Sequence, residues 1–101
     1  MYTSRLMNEN TEMLVDALLK IQNKEECYRL LEDLLTFREV EDLSQRIHVA
    51  KLLTDKVTYT EITQITGASS ATIGRVNRAL MYGADGYKTI LQRMYEEETE
   101  K

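Results

Sequence analysis

Three times along this chain a residue able to cap a helix is followed three places later by glutamate: Asn23 and Glu26, Thr36 and Glu39, Thr58 and Glu61. That spacing lets the first side chain hold the backbone N–H of the second and the second reach back, so each pair marks a helix start. The 101 residues contain no proline and only four glycines, Gly67, Gly74, Gly83 and Gly86, so little interrupts a helix once begun. Period-two alternation of β-branched residues does not persist, and helical spacing dominates. The chain is therefore read as all-α and as one domain, residues 1–101.

Six helices are expected. The first runs from about Ser4 to Ile21, with Met7, Leu14, Leu18 and Ile21 on one stripe. The second starts at Asn23 and turns Leu30, Leu31, Leu34 and Leu35 inward. The third opens at Thr36 and runs to about Thr54. Its main stripe is Val40, Leu43, Ile47, Ala50 and Leu53, widened by Val49 and Leu52. So broad an apolar arc in so short a chain needs more cover than one small domain supplies, and dimerisation is the natural inference. The last helix, about Asp85 to Glu97, turns Tyr87, Ile90, Leu91 and Met94 toward the body.

Between them lies TYTEITQITGASSATIGRVNRAL, Thr58 to Leu80. A short helix capped by Thr58 meets Gly67, the residue most tolerant of positive φ at a sharp turn. Ser69 caps the next helix, which runs to about Met81, and Gly83 ends it. Ile62, Ile65, Ala68, Ile73, Val76 and Leu80 supply the buried contact between the two helices. This is the form of a helix-turn-helix, at about residues 58–81. The outer face of its second helix carries Ser70, Ala71, Gly74, Arg75, Asn77 and Arg78. Arginine can pair bidentately with guanine or hold phosphate, asparagine can pair with adenine, and the N–H groups near Ser69 and Ser70 can meet a phosphate. The formal charge is −4, yet no carboxylate lies between Glu61 and Asp85. A negative chain that clears one segment of negative charge keeps that segment compatible with DNA. The same pattern also suits a plain helical hairpin.

Other chemistry is poorly supported. His48 stands alone mid-helix and has no partners at catalytic or metal-ligand spacing. Cys27, the one cysteine, fits a half-buried apolar position and a reducing cytosol. The GADG run at Gly83 lacks the strand and lysine of a phosphate loop. An enzyme or a metal site is not expected. No run is apolar enough to span a bilayer, and YTSRLMNENTE after Met1 is no signal peptide, so a cytoplasmic protein is expected. The tip YEEETEK is read as a solvated helix end.

Two stretches, LLEDLLTFREVEDLSQRIHVAKLL and VTYTEITQITGASSATIGRVNRAL, resemble the bacterial tryptophan-repressor family, and within it the YerC/YecD-type branch. The resemblance covers about Leu30 to Ala84. Its most specific pieces are LLT, SQRI, and GASSATIGR with a leucine five residues later. It implies an intertwined six-helix homodimer that binds double-stranded DNA at a pseudo-palindromic operator and regulates transcription, as a repressor. Ser70, Ala71 and Gly74 would then lie in the reading head, with Tyr59, Thr60 and Thr63 near phosphates. Two of those positions usually carry basic residues in the repressor and are uncharged here. The family's ligand positions correspond to Thr36, Arg46 and Arg75, the two arginines sandwiching an indole ring. Where the repressor has a glycine and a ligand-holding serine, this chain has Val76 and Ala79. The valine crowds the ring and the alanine leaves the ligand's ammonium without an acceptor, so tryptophan is not the expected corepressor. The alternative function is a helical protein–protein adaptor that kept the fold and lost the operator.

Overall fold

The computed structural model describes residues 2–100. Among them are six α-helices and no strand: α1 (Glu9–Leu19), α2 (Lys24–Leu34), α3 (Phe37–Thr54), α4 (Tyr59–Thr66), α5 (Ser70–Tyr82) and α6 (Gly86–Glu100). They fall into two compact units, one running to Phe37 and the other from Arg38 onward.

In the N-terminal unit α1 begins at Glu9, later than its apolar spacing suggests. The cause is local hydrogen bonding. Ser4 Oγ accepts from the Leu6 N–H at 3.0 Å, diverting the backbone into a turn. Asn8 then caps: its side chain accepts from the Thr11 N–H at 2.9 Å, and the Thr11 hydroxyl accepts from the Asn8 N–H at 2.9 Å. This is a capping box with threonine in the glutamate's place, and it leaves Met7 and Ile21 outside the helix. At α2 the expected pair is only half reciprocal. Asn23 accepts from the Glu26 N–H at 2.9 Å, but the Glu26 carboxylate takes the N–H of Gln22 at 3.0 Å. Neither α1 nor α2 buries a single residue. Leu30, Leu31 and Leu35 are half-buried, while Leu34, expected inward, is exposed.

The C-terminal unit contains a core of Val49, Ala50, Ile62, Ala68, Ile73, Val76, Leu80 and Leu91, with Leu52, Leu53, Val57 and Tyr87 packed against it. The stripe expected on α3 is only partly the buried one. Val49 and Ala50 are fully covered, whereas Leu43 and Ile47 remain 43% and 42% exposed. The arc through Val49 and Ala50 joins the core with α4 and α5, and this unit places nothing over the flank that carries Leu43 and Ile47. On α6, Leu91 is buried but Ile90 and Met94 are open.

α3 ends in a Schellman motif. The Val57 N–H bonds to the Leu52 carbonyl and the Lys56 N–H to the Leu53 carbonyl, both at 3.0 Å. Val57 and Leu52, the pair that closes such a motif, both lie against the core. The motif needs a left-handed residue, and here it is Lys56, with φ of 67°. A side chain in that region is strained by about 1 kcal/mol, so Lys56→Gly is expected to raise the unfolding free energy by up to about 1 kcal/mol in urea titration. Gly83 has a different reason for being glycine. Its φ is −88°, but a Cβ there would collide with the carbonyl of Ala79.

Candidate nucleic-acid interface and the adjoining cavity

α4 and α5 are joined through three residues, Gly67, Ala68 and Ser69. The Thr58 hydroxyl starts α4 by accepting from the Glu61 N–H at 3.3 Å. Gly67 stops it with φ of 74°, its N–H bonded to the Thr63 carbonyl at 2.8 Å. Nothing stands within 4 Å of where a Gly67 Cβ would be, so the turn needs glycine for its backbone angle and not for space. Thr66 then braces the turn. Its hydroxyl donates to the Ile62 carbonyl at 2.8 Å and accepts from the Ala68 N–H at 3.1 Å. Ser69, extended, accepts from the Thr72 N–H at 3.1 Å and opens α5. Between the helices Ile62, Ala68, Ile73 and Val76 are almost wholly buried. Ile65, expected in this contact, is 56% exposed, because so short a helix presents one narrow face to α5, and Ile62 with the half-buried Thr66 fills it.

The outer surface follows from that packing. With Ile73, Val76 and Leu80 turned inward, Ser70, Ala71, Arg75 and Arg78 are exposed and Gly74 and Asn77 half-exposed. The Asn77 amide leans on the Met81 sulfur at 3.6 Å. Tyr59, Thr60 and Thr63 are exposed on α4, and Ser69 in the turn. Among the described residues Arg75 and Arg78 have no carboxylate partner; the ion pairs lie elsewhere, at Arg29–Glu25, Lys51–Asp55 and Lys88–Asp85. Gly74 sits mid-helix with open space where its Cβ would be, so no internal packing calls for it.

Behind this face is a cavity of about 190 Å³ lined by Asp42, Gln45 and Arg46 of α3 and Thr72, Arg75 and Val76 of α5. Two of the three ligand positions expected from sequence, Arg46 and Arg75, thus line one cavity, from α3 and from α5. Thr36 stands just before α3, in the other unit. Five of the six lining residues are polar or charged, and Val76 is the one apolar member. Asp42, Gln45 and Thr72 were not singled out in the sequence. The signal was weak: Gln45 lies one turn before the buried Val49, but only the packing of α3 on α5 brings it beside Arg75. His48 is exposed on α3 and Cys27 half-buried on α2.

The family model for the Trp repressor protein matches residues 9–95, most of the chain and both helices of the turn. The chain belongs to the Trp repressor family. It is 43% identical to YerC, an uncharacterised protein of Bacillus subtilis strain 168, over 99% of this chain and 96% of that protein. Its fold is similar to that of a candidate Trp repressor from Staphylococcus aureus, with a TM-score of 0.85 and 46% identity over 90% of this chain and 91% of that one. A TrpR-like protein from Eubacterium eligens also superposes with a TM-score of 0.85, at 44% identity over 89% and 93% of the two chains. In this Trp repressor family member Val76, only 2% exposed, lines the cavity with Arg46 and Arg75. Among the described residues no helix is long and apolar enough to cross a membrane.

Proposed function

We propose that this chain is a sequence-specific DNA-binding transcriptional regulator, a repressor, that binds a pseudo-palindromic operator as a homodimer. The observation that carries it is the outer face of α5. Arg75 and Arg78 stand exposed on a helix-turn-helix, without a carboxylate partner among the described residues, in a run from Ile62 to Ala84 that holds no carboxylate. Arg75, Asn77 and Arg78 are the proposed base and phosphate contacts, with Ser69, Ser70, Ala71 and Gly74 allowing close approach. Tyr59, Thr60 and Thr63 offer hydroxyls to the flanking phosphates.

Support for the homodimer comes from unburied apolar surface. Met13 and Leu19 on α1 are each 76% exposed and Phe37 81%. On α6, in the other unit, Ile90 and Met94 are also open. Large apolar side chains left open along α1 and at the start of α3 are the surface a second copy would cover. A second copy that covered it would complete residues 1–101 as one intertwined domain, lodged in the cytoplasm on the nucleoid.

The experiment is selection of duplexes from a random pool with the purified protein. Recovered sequences should be two-fold symmetric, with half-sites roughly 34 Å apart. Their affinity should fall steeply as salt rises. Recovery of no preferred duplex would turn the assignment toward a protein–protein adaptor.

The cavity between α3 and α5 is proposed as an effector site for a small anion held by Arg46 and Arg75. Tryptophan does not suit it. An indole needs apolar walls, and the cavity offers one, Val76, which itself occupies space; Ala79 supplies no acceptor for the ammonium. Calorimetry with L- and D-tryptophan is expected to show no micromolar binding and no preference between enantiomers.

A further inference from the structure

The helix-turn-helix rests on α3 through Val49 and Ala50, which are buried in one core with Ile62 and Ile73. Apolar burial is non-directional. It holds α4 and α5 on α3 and sets their approach through many small contacts, none of which pins the turn at a single point. A hydrogen bond does have direction. The Gln45 side-chain amide donates from α3 to the carbonyl of Thr66 at 3.2 Å, in a partly buried setting.

Thr66 is the last residue of α4, where backbone carbonyls lose their partners within the helix. Neighbouring carbonyls are satisfied locally, Thr63 by the Gly67 N–H and Ile62 also by the Thr66 hydroxyl. The Thr66 carbonyl is satisfied from α3. The same residue braces Ala68 through its hydroxyl. Thr66 therefore ties α4, the turn and α3 at one point, and Gln45 is the α3 end of the tie.

We propose that Gln45 is a positioning residue for the helix-turn-helix, its amide fixing the turn, and with it α5, against α3. The Gln45 side chain also lines the cavity beside Arg46 and Arg75. Only the DNA consequence of this inference rests on the regulator assignment above; the tie itself does not.

The test uses the full chain with Gln45→Met, close in length but without a donor, and Gln45→Glu, close in shape and donor-less when ionised. Amide exchange is read by NMR, global stability by urea titration, and affinity on the duplex recovered by selection. Both variants should lower the urea midpoint by no more than the loss of one neutral hydrogen bond does. Exchange at Gly67 and Ala68 should accelerate, while Ile73 and Val76 stay protected. Duplex affinity should fall roughly threefold to tenfold, the scale of one neutral hydrogen bond. Unchanged exchange at Gly67 and Ala68 in both variants overturns the proposal. So does acceleration spread evenly over α4 and α5 in step with a lowered midpoint, which marks a general packing role. If the wild type binds no duplex, the regulator assignment fails while the exchange measurement still decides the role of Gln45. If the wild type binds and exchange at the turn is unmoved, Gln45 loses its role and the regulator assignment stands.

Discussion

Replacing Ile73 by alanine is expected to lower the unfolding free energy by about 2–5 kcal/mol. Ile73 is wholly buried where α5 meets α4 and α3, in a core of eight buried residues. Its removal loses both the transfer energy of the deleted methyl and methylene groups and the contacts of the atoms left facing a void. Domains of this size are held by about 5–15 kcal/mol in all, so much of the reserve would go. Urea titration at one fixed protomer concentration measures it, since assembly would otherwise shift the midpoint. Ile65→Ala, on the same helix pair but 56% exposed, is the matched control and should stay within about 0.5 kcal/mol of wild type. Equal effects at the two sites would mean that the helix pair is not packed as described.

Alanine at Arg75 and Arg78 together is expected to weaken operator binding by about 1–3 kcal/mol for each arginine that reads a base. An arginine that holds only phosphate behaves differently. Its loss weakens all duplexes alike and lowers the slope of log affinity against log salt by about one. Titrating each single variant against the selected duplex and a scrambled one, at several salt concentrations, sorts the two roles. Neither residue is tied to a carboxylate among the described residues, so neither substitution breaks an ion pair of the fold. Arg75 also lines the cavity, so Arg75→Ala alone should alter anion binding there, and Arg78→Ala should not. Unchanged affinity in the double variant would remove α5 as the reading helix.

The helix-turn-helix was legible before any coordinates because its determinants lie within a few residues of one another. Thr58, Gly67 and Ser69 act on backbone groups three or four residues away, through a cap, a left-handed turn and a second cap. The same locality explains the misses at α1 and α2. Asn8 with Thr11 makes a box that the glutamate signature overlooks, and Glu26 caps one residue further out than its spacing implied. Gly83 was correctly placed at a helix end, yet its reason is a clash with the Ala79 carbonyl and not a positive φ.

Burial was harder to read, because periodicity says which residues share a stripe and not which stripe is covered. α3 is apolar on a broad arc, and the core of its unit takes Val49 and Ala50 while leaving Leu43 and Ile47 open. The six helices and the bent pair around Gly67 thus follow from short-range rules written along the chain. The meeting of Gln45 with Thr66, and the lining of one cavity by both Arg46 and Arg75, do not. Those contacts depend on how far α3 slides and turns against α4 and α5, which is set by many small apolar contacts acting together. No single spacing in the linear order encodes that sum.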